Sequence, residues 1–208
     1  MDVDRGGKTL KWIGITGGIG TGKSTVAEII RERGLSIVDA DQVAREVVQP
    51  GSPGLQSVVD QFGSQVLNQD QSLDRQALAQ IVFQDPKKLE LLEQILHPLI
   101  QARVAHYKER FRASGASFAF YDIPLLFEKN MKNQFDLVIV VNAPREQIIE
   151  RLRRRNKWSS QEIESRIRAQ IPLDQKIAAA DFVVQNDGDL AHLREQVMAI
   201  VSKIELKS

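Results

Sequence analysis

The sequence predicts an α/β protein with a central parallel sheet and a large helical insert. Three observations favour this class. Short apolar runs alternate with helical patterns along most of the 208 residues, an order typical of parallel strands joined by right-handed crossovers. A long stretch from about 41 to 114 shows helical periodicity only. A glycine-rich loop, GGIGTGKS, directly follows the first apolar run.

Five apolar runs are the predicted strands of the sheet. The run within FDLVIVVNA is apolar without alternation, as expected of a strand that is covered on both faces. The predicted strands are Trp12–Thr16, Leu35–Val38, Phe118–Asp122, Leu137–Asn142 and Phe182–Gln185.

The helical stretch is expected to form an insert over about 45–114, between core segments 12–44 and 115–208, all within one domain. Asp85-Pro86 is predicted to start one of its helices, and Pro98 to mark a kink or a helix boundary. Such an insert could bind substrate or could only add packed helices to the domain, and both interpretations stay open. Residues 1–11 are polar and are predicted to be a flexible extension.

Composition excludes several classes of protein. The formal net charge is +1, so no overall basic field indicates a nucleic-acid partner. The chain has no cysteine, which excludes disulfides and thiolate chemistry. No apolar run is long enough for a signal peptide or a membrane span. We therefore expect a cytoplasmic protein with no membrane or nucleic-acid partner.

The loop Gly17-x4-Gly22-Lys23-Ser24 matches the phosphate-binding pattern, with an apolar strand before it and a helical run after it. Glycines let successive backbone N–H groups surround a phosphate, and the helix N-terminus adds partial positive charge. Lys23 is predicted to contact the β- and γ-phosphates of ATP, and the Ser24 hydroxyl to bind Mg²⁺. The alternative is a glycine-rich turn followed by an ordinary N-cap serine.

Three aspartates follow predicted strands, at the sheet edge where ligands bind in open α/β proteins. Asp41 is a candidate general base and Asp39 a candidate for orienting metal, water or substrate, although Asp41 would also suit a helix N-cap. Asp122 is a candidate metal ligand. The fourth strand is followed by APRE, which lacks the Asn-Lys-x-Asp motif of GTPases.

Other candidate residues lie on the later segments. Pro124–Phe127 fits an apolar wall against a ligand or ordinary core, with core favoured for Leu125 and Leu126. The basic stretch Arg145–Lys157 fits a lid whose arginines neutralise transferred phosphate, or a set of solvated charges. His97 fits a packed or capping residue better than a ligand.

Together these motifs resemble the dephospho-CoA kinase family, from about Trp12 to Val201. The resemblance rests on TGGIGTGKSTV, DADQVARE, HPLI, IPLLFE, RLRRR and ADFVVQNDG, in the family's order and spacing. It implies transfer of the ATP γ-phosphate to the ribose 3′-hydroxyl of dephospho-CoA, the last step of coenzyme A synthesis. It also implies a three-layer P-loop kinase fold with a CoA-binding insert and a lid over about 145–170.

The resemblance also implies roles for individual residues. Asp41 corresponds to the proposed base, and Lys23, Arg151 and Arg155 to residues that stabilise the transferred phosphate. Asp39, His97, Pro124 and Leu125 fall on the acceptor side. The ATP-binding residues carried over are Gly18, Ile19, Gly20, Thr21, Gly22, Lys23, Ser24, Thr25, Asn186 and Gly188.

The sequence departs from the family where Asn156-Lys157-Trp158 replaces a more usual Asp-Gly and a small residue, which bears on lid geometry and on the choice among Arg153, Arg154 and Arg155. Two alternative functions stay open. One is a kinase for another acceptor, such as a nucleoside monophosphate. The other is a nucleotide-gated binding protein that has no acceptor chemistry. We expect a monomer.

Overall fold

A computed structural model describes residues 10–206, and its centre is a five-stranded parallel sheet with the strand order β2-β3-β1-β4-β5. This confirms the predicted sheet. The strands are β1 (Lys11–Gly17), β2 (Ile37–Asp39), β3 (Phe118–Asp122), β4 (Leu137–Asn142) and β5 (Phe182–Gln185). The predicted flexible extension, 1–11, falls largely outside the described residues.

The second strand begins later than the sequence predicts. Gly34 has a φ of 76°, and the N–H of Leu35 donates to the carbonyl of Ile30 at 3.3 Å. Leu35 is therefore part of the C-terminal turn of the preceding helix, as in a glycine-terminated helix end. The prediction of a strand over Leu35–Val38 was wrong at its start for this reason.

Helices follow the strands and also fill the insert. They are α1 (Lys23–Glu32), α2 (Ala40–Glu46), α3 (Pro53–Phe62), α4 (Arg75–Phe83), α5 (Pro86–Ala113), α6 (Arg145–Asn156), α7 (Ser160–Arg168), α8 (Leu173–Ala178) and α9 (Leu190–Glu205). Short 3₁₀ turns occur at Ser64–Val66 and Lys132–Gln134. Among the described residues, none of these helices combines the length and the apolar character required to cross a bilayer.

Side chains of β1 alternate between the two faces of the sheet. Ile13 and Ile15 are fully buried in a cluster with residues of α1 and α9. Trp12 and Gly14 face the other side, where Phe135 stacks on Trp12 with ring centroids 6.5 Å apart. A Cβ on Gly14 would lie 2.6 Å from Leu126, so the segment after β3 covers this face closely. Helical and loop layers thus cover both faces, as predicted for a three-layer fold.

The chain divides into two compact units. One comprises the described residues through Asp39 and from Phe111 onward, and the other is Ala40–Arg110. The second unit overlaps the insert predicted over about 45–114. It has its own apolar cluster, formed by Val48, Leu55, Val58, Phe62, Val66, Leu78 and Val82.

The helical character predicted for the insert is confirmed, since its only described extended pairing is a single bridge between Leu67 and Leu73. Pro86 is the first residue of α5, as predicted. Pro98, however, lies inside α5, which continues unbroken to Ala113. Of the two predicted alternatives at Pro98, the helix boundary was wrong, because loss of one backbone donor did not end a helix of 28 residues, and the kink stays a prediction.

Glu46 connects α2 to α5 within this second unit. Its carboxylate accepts hydrogen bonds from Arg103 Nε at 2.7 Å and from the Tyr107 hydroxyl at 2.8 Å. Burial by itself would raise the pKa of Glu46, but these bonds outweigh it, and the pKa lies below its ordinary value. The ionised carboxylate is therefore the form that the folded insert favours.

Candidate active site

The glycine-rich loop joins the carboxyl end of β1 to the first turn of α1. Gly20 and Gly22 have φ values of 79° and 92°, in the left-handed region that favours glycine. A Cβ on Gly22 would also lie 2.0 Å from Asn186 Nδ2. Both the backbone conformation and the close neighbour therefore require glycine at this position.

Side chains from three later segments hold the loop in place. Asn186, which is buried, donates to the Thr21 carbonyl at 2.7 Å. Arg151 of α6 donates to the same carbonyl at 3.4 Å and to the carbonyl of Asn186 at 3.0 Å. Gln170 accepts a hydrogen bond from the N–H of Ile19 at 2.8 Å. These contacts fix the loop backbone before any phosphate binds.

Lys23 and Asp122 form an ion pair beside the loop. Asp122 is the last residue of β3 and is 3% exposed. Burial raises the pKa of Asp122 above its ordinary value of 3.8, although the Lys23 ammonium opposes that shift. Lys23 is thus a cation held at the sheet edge, where a triphosphate would compete with the carboxylate for it.

Asp39 lies at the same edge, because its strand pairs with β3 so that Asp39 is opposite Asp122. Arg31 lies 3.6 Å from the Asp39 carboxylate. The negative charge of Asp39 adds to the raised pKa of Asp122. The sheet therefore places the carboxylates of Asp39 and Asp122 at one edge, with Arg31 and Lys23 as their cationic partners.

Ser24 is exposed in the first turn of α1, next to Lys23. No group of three or more His, Asp and Glu side chains among residues 10–206 is arranged to hold a metal ion. Mg²⁺ in phosphoryl-transfer sites needs only one or two protein ligands, because phosphates and water supply the others. The Ser24 hydroxyl and the Asp122 carboxylate fit that limited set of ligands.

Two adjoining cavities of about 330 and 260 Å³ open beside the loop and share Arg151, Arg154 and Gly188 in their walls. The sequence analysis missed several residues in these walls. Gln147 and Glu150 were missed, although they recur at helical spacing with the predicted Arg151 and with Arg154, so a helix projection of α6 would have placed all four on one face. The other missed residues are Asp189, Leu190 and Leu193.

Arg155, unlike Arg151 and Arg154, does not line either cavity. It is exposed near the end of α6, where its Nε donates to Asn156 Oδ1 at 3.0 Å. The unusual Lys157 then ends α6 in a left-handed conformation with a φ of 56°. Trp158 packs against the cluster of α6 and α7, with the Arg166 guanidinium 4.1 Å from its ring centroid.

The acceptor-side candidates are distributed over both units. Pro124 accepts a hydrogen bond from the Thr16 hydroxyl at 3.3 Å. Leu125 is 40% exposed whereas Leu126 is fully buried, so the core interpretation holds for Leu126 and was wrong for Leu125. His97 is exposed on α5, with its Nε2 3.5 Å from the side-chain amide nitrogen of Gln101.

Asp41 lies in the first turn of α2, in the second unit. The helix already begins at Ala40, so Asp41 is inside it and the N-cap alternative was wrong. A carboxylate in a first helical turn is compatible with the helix dipole. That position leaves the predicted role as a base open.

The family model for dephospho-CoA kinase matches residues 11–192. The chain belongs to the dephospho-CoA kinase family. A curated dephospho-CoA kinase from Bdellovibrio bacteriovorus is 49% identical over 94% of this chain and 97% of the relative.

Solved structures agree with this family assignment. A crystal structure from Thermus thermophilus has a TM-score of 0.80 and 34% identity, covering 94% of this chain and 98% of the other. A dephospho-CoA kinase from Campylobacter jejuni has a TM-score of 0.72 and 27% identity, with the same coverage. The predicted P-loop kinase fold and the resemblance stated from sequence motifs are both confirmed.

Proposed function

We propose that this member of the dephospho-CoA kinase family transfers the γ-phosphoryl group of ATP to the ribose 3′-hydroxyl of dephospho-CoA, giving coenzyme A and ADP. Family membership makes it a kinase of the final step of coenzyme A synthesis. The observation that carries the reaction mechanism is the fixed glycine loop, with Lys23 at its end and a cavity beside it.

Loop residues hold the triphosphate in this proposal. Residues 18–25 surround the phosphates with those backbone amides that are not already bonded within the protein, and Lys23 exchanges its contact with Asp122 for the β- and γ-phosphates. The Ser24 hydroxyl and the Asp122 carboxylate would hold Mg²⁺, which would supply positive charge to the phosphates. Asn186 and Gly188 border the adenosine part of the nucleotide, and Arg151, which also lines this cavity, adds positive charge.

Phosphoryl transfer itself requires positioning and one proton acceptor. Asp41 accepts the proton of the 3′-hydroxyl as that oxygen forms a bond to the γ-phosphorus, and the bond from phosphorus to the ADP oxygen breaks. Asp39 orients the acceptor, with His97, Pro124 and Leu125 along the rest of the substrate. Arg151 and Arg155 neutralise the transferred group.

An acceptor panel tests the proposal. ADP release is measured with ATP, Mg²⁺ and one acceptor at a time: dephospho-CoA, adenosine monophosphate or no acceptor. We expect turnover with dephospho-CoA only, and loss of turnover in Lys23→Ala. Equal rates with and without dephospho-CoA would contradict the proposal, and turnover with the monophosphate alone would favour a different acceptor.

A cytoplasmic location, a monomeric state and the absence of nucleic-acid and membrane partners stay predictions from the sequence. The binding-protein alternative predicts that ATP stabilises the fold without any product being formed. The same acceptor panel, with ATP consumption followed alongside thermal unfolding, separates that alternative from the kinase.

A further inference from the structure

The segment between α7 and α8 contacts the glycine loop through one side chain. Gln170 Oε1 accepts a hydrogen bond from the N–H of Ile19 at 2.8 Å. This N–H belongs to the peptide group that joins Gly18 to Ile19. At the other end of that group, the Gly18 carbonyl accepts from the Thr21 N–H at 3.2 Å and from the Thr21 hydroxyl at 2.8 Å. The orientation of this peptide group is thus fixed at both ends.

A buried ion pair holds the backbone beside Gln170. Lys176 of α8 is 1% exposed, and its ammonium lies 2.6 Å from Glu128 Oε1. The same oxygen accepts from the N–H of Ile171 at 3.1 Å. Glu128 therefore binds both the segment that carries Gln170 and the helix that follows it.

This ion pair is poorly suited to a purely stabilising role. Glu128 Oε2 is buried and has no hydrogen-bond partner among the described residues, and the Lys176 ammonium has only its contact with Glu128. A buried pair with unsatisfied groups contributes little to stability, because the cost of desolvation is incompletely offset. The pair does fix the position of α8 against the segment that carries Glu128, because any displacement would leave two buried charges unpaired.

We propose that Gln170 is a positioning residue for ATP binding, held in place by the Lys176–Glu128 pair. Gln170 acts on the triphosphate through the Gly18–Ile19 peptide group. Glycine at position 18 permits that peptide to rotate when the Gln170 bond is lost. A rotated peptide would turn its carbonyl oxygen toward the phosphates, where the loop otherwise presents amides. The inference relies on the proposed function only in taking a nucleoside triphosphate as the ligand.

The test measures ATP affinity directly, by calorimetry with Mg²⁺ and without acceptor. Gln170→Ala is expected to weaken ATP binding about tenfold, the scale of one lost hydrogen bond. Its unfolding temperature and its KM for dephospho-CoA should stay close to those of the unaltered protein. Gln175→Ala is the matched control, because Gln175 is exposed on the neighbouring helix.

A second variant tests the role of the ion pair. Lys176→Met combined with Glu128→Leu removes both charges, leaves neither unpaired, and should weaken ATP binding like Gln170→Ala. Adding Gln170→Ala to this variant should weaken binding by less than the product of the two effects, because both act through one contact.

Three results would overturn the proposal. The first is that Gln170→Ala binds ATP within twofold of the affinity of the unaltered protein. The second is that Gln170→Ala weakens ATP binding and dephospho-CoA binding equally. The third is that Gln170→Ala fails to fold. A failure of the acceptor panel with normal ATP binding would instead contradict the proposed reaction and leave this test valid.

Discussion

Lys23 and Asp122 depend on one another at the loop. The carboxylate is buried and forms an ion pair with the ammonium, so removing the cation leaves a buried negative charge. Such a charge is costly, and the folded state then favours the protonated acid. If Lys23 binds the phosphates as proposed, nucleotide binding is coupled to the protonation of Asp122.

Lys23→Ala is expected to reduce turnover by at least about a hundredfold, the scale of a lost electrostatic contact to transferred phosphate. It should also lower the unfolding temperature more at pH 8 than at pH 5. Burial already raises the pKa of Asp122 in the folded state above its ordinary value of 3.8. The free energy of unfolding therefore declines as pH rises from that value to the pKa of the folded state. Loss of Lys23 raises that pKa further. Lys23→Arg is the control, and an equal loss of stability at both pH values would contradict the coupling.

Asp41 gives a second prediction at this scale. Asp41→Asn keeps the size of the side chain and removes the proton acceptor, so turnover should fall at least about a hundredfold. The unfolding temperature should change little, because the helix begins before Asp41 and does not need it as an N-cap. Turnover near normal in Asp41→Asn would exclude its role as the base.

At the scale of elements, α6 places Arg151 and Arg154 in the walls of the two cavities, whereas Arg155 lines neither. Arg151 bonds to backbone carbonyls of Thr21 and Asn186, whereas Arg155 lies at the exposed end of the helix. Because Arg151 is hydrogen-bonded to the loop, we expect it to contribute to the affinity for the nucleotide. Arg155 is exposed, so it would reach the transferred phosphate only if the proposed lid closes.

Arg151→Met is therefore expected to raise the KM for ATP about tenfold or more, since a charge-assisted contact is lost. Arg155→Met should lower kcat with a smaller effect on the KM for ATP. Arg153→Met is the control, because Arg153 is exposed and bonds to Ser160 on the lid segment. Steady-state kinetics over both substrates separate these outcomes, and an unchanged KM for ATP in Arg151→Met would contradict the first.

The insert has its own electrostatic contact between helices, at Glu46. Because the folded pKa of Glu46 is lowered from 4.5, its contribution is present above that value and is lost as pH falls through the folded pKa. Glu46→Gln should cost about 1 kcal/mol at pH 7, a modest value because Arg103 is 41% exposed. The difference from the unaltered protein should shrink below about pH 4.5. Thermal unfolding at several pH values measures this difference in stability, and Glu90→Gln is the control because Glu90 is exposed. A difference that grows on acidification would contradict a lowered pKa for Glu46.

For the whole molecule, the central question is whether the segment over about 145–170 closes on the substrates. Phosphoryl transfer must exclude water, because ATP would otherwise be hydrolysed. This segment already contacts the loop through Arg151 and Gln170. Closure would bring its exposed residues closer to the transferred phosphate.

Hydrogen exchange tests closure. Backbone amides in 145–170 should exchange more slowly when an ATP analogue and dephospho-CoA are both bound than with either one alone. The strands β1 and β4 serve as the internal reference, since they are central in the sheet. Equal exchange in all four states would count against the lid.

Much of the fold followed from local patterns. The five strands, the helical insert and the glycine loop each occupy consecutive residues, so apolar spacing and turn-forming residues are enough to indicate them. Errors arose where local rules compete. Apolar patterning predicts Leu35 as strand although it completes a helix end, and Pro98 fits a helix boundary or a kink although its helix continues through it.

By itself, the sequence determined the α/β class, the phosphate-binding loop and the family, because those depend on residue types at fixed short spacings. Only the tertiary structure decided what holds the loop in place. Asn186 and Gln170 lie 165 and 151 positions from the loop residues that they bind. Asn186 directly follows β5, and parallel strands bring distant carboxyl ends to one edge of the sheet. Gln170 lies in the connection between α7 and α8, which the packing of the folded chain brings to the same loop. No spacing along the chain encodes which side chain meets which backbone group there.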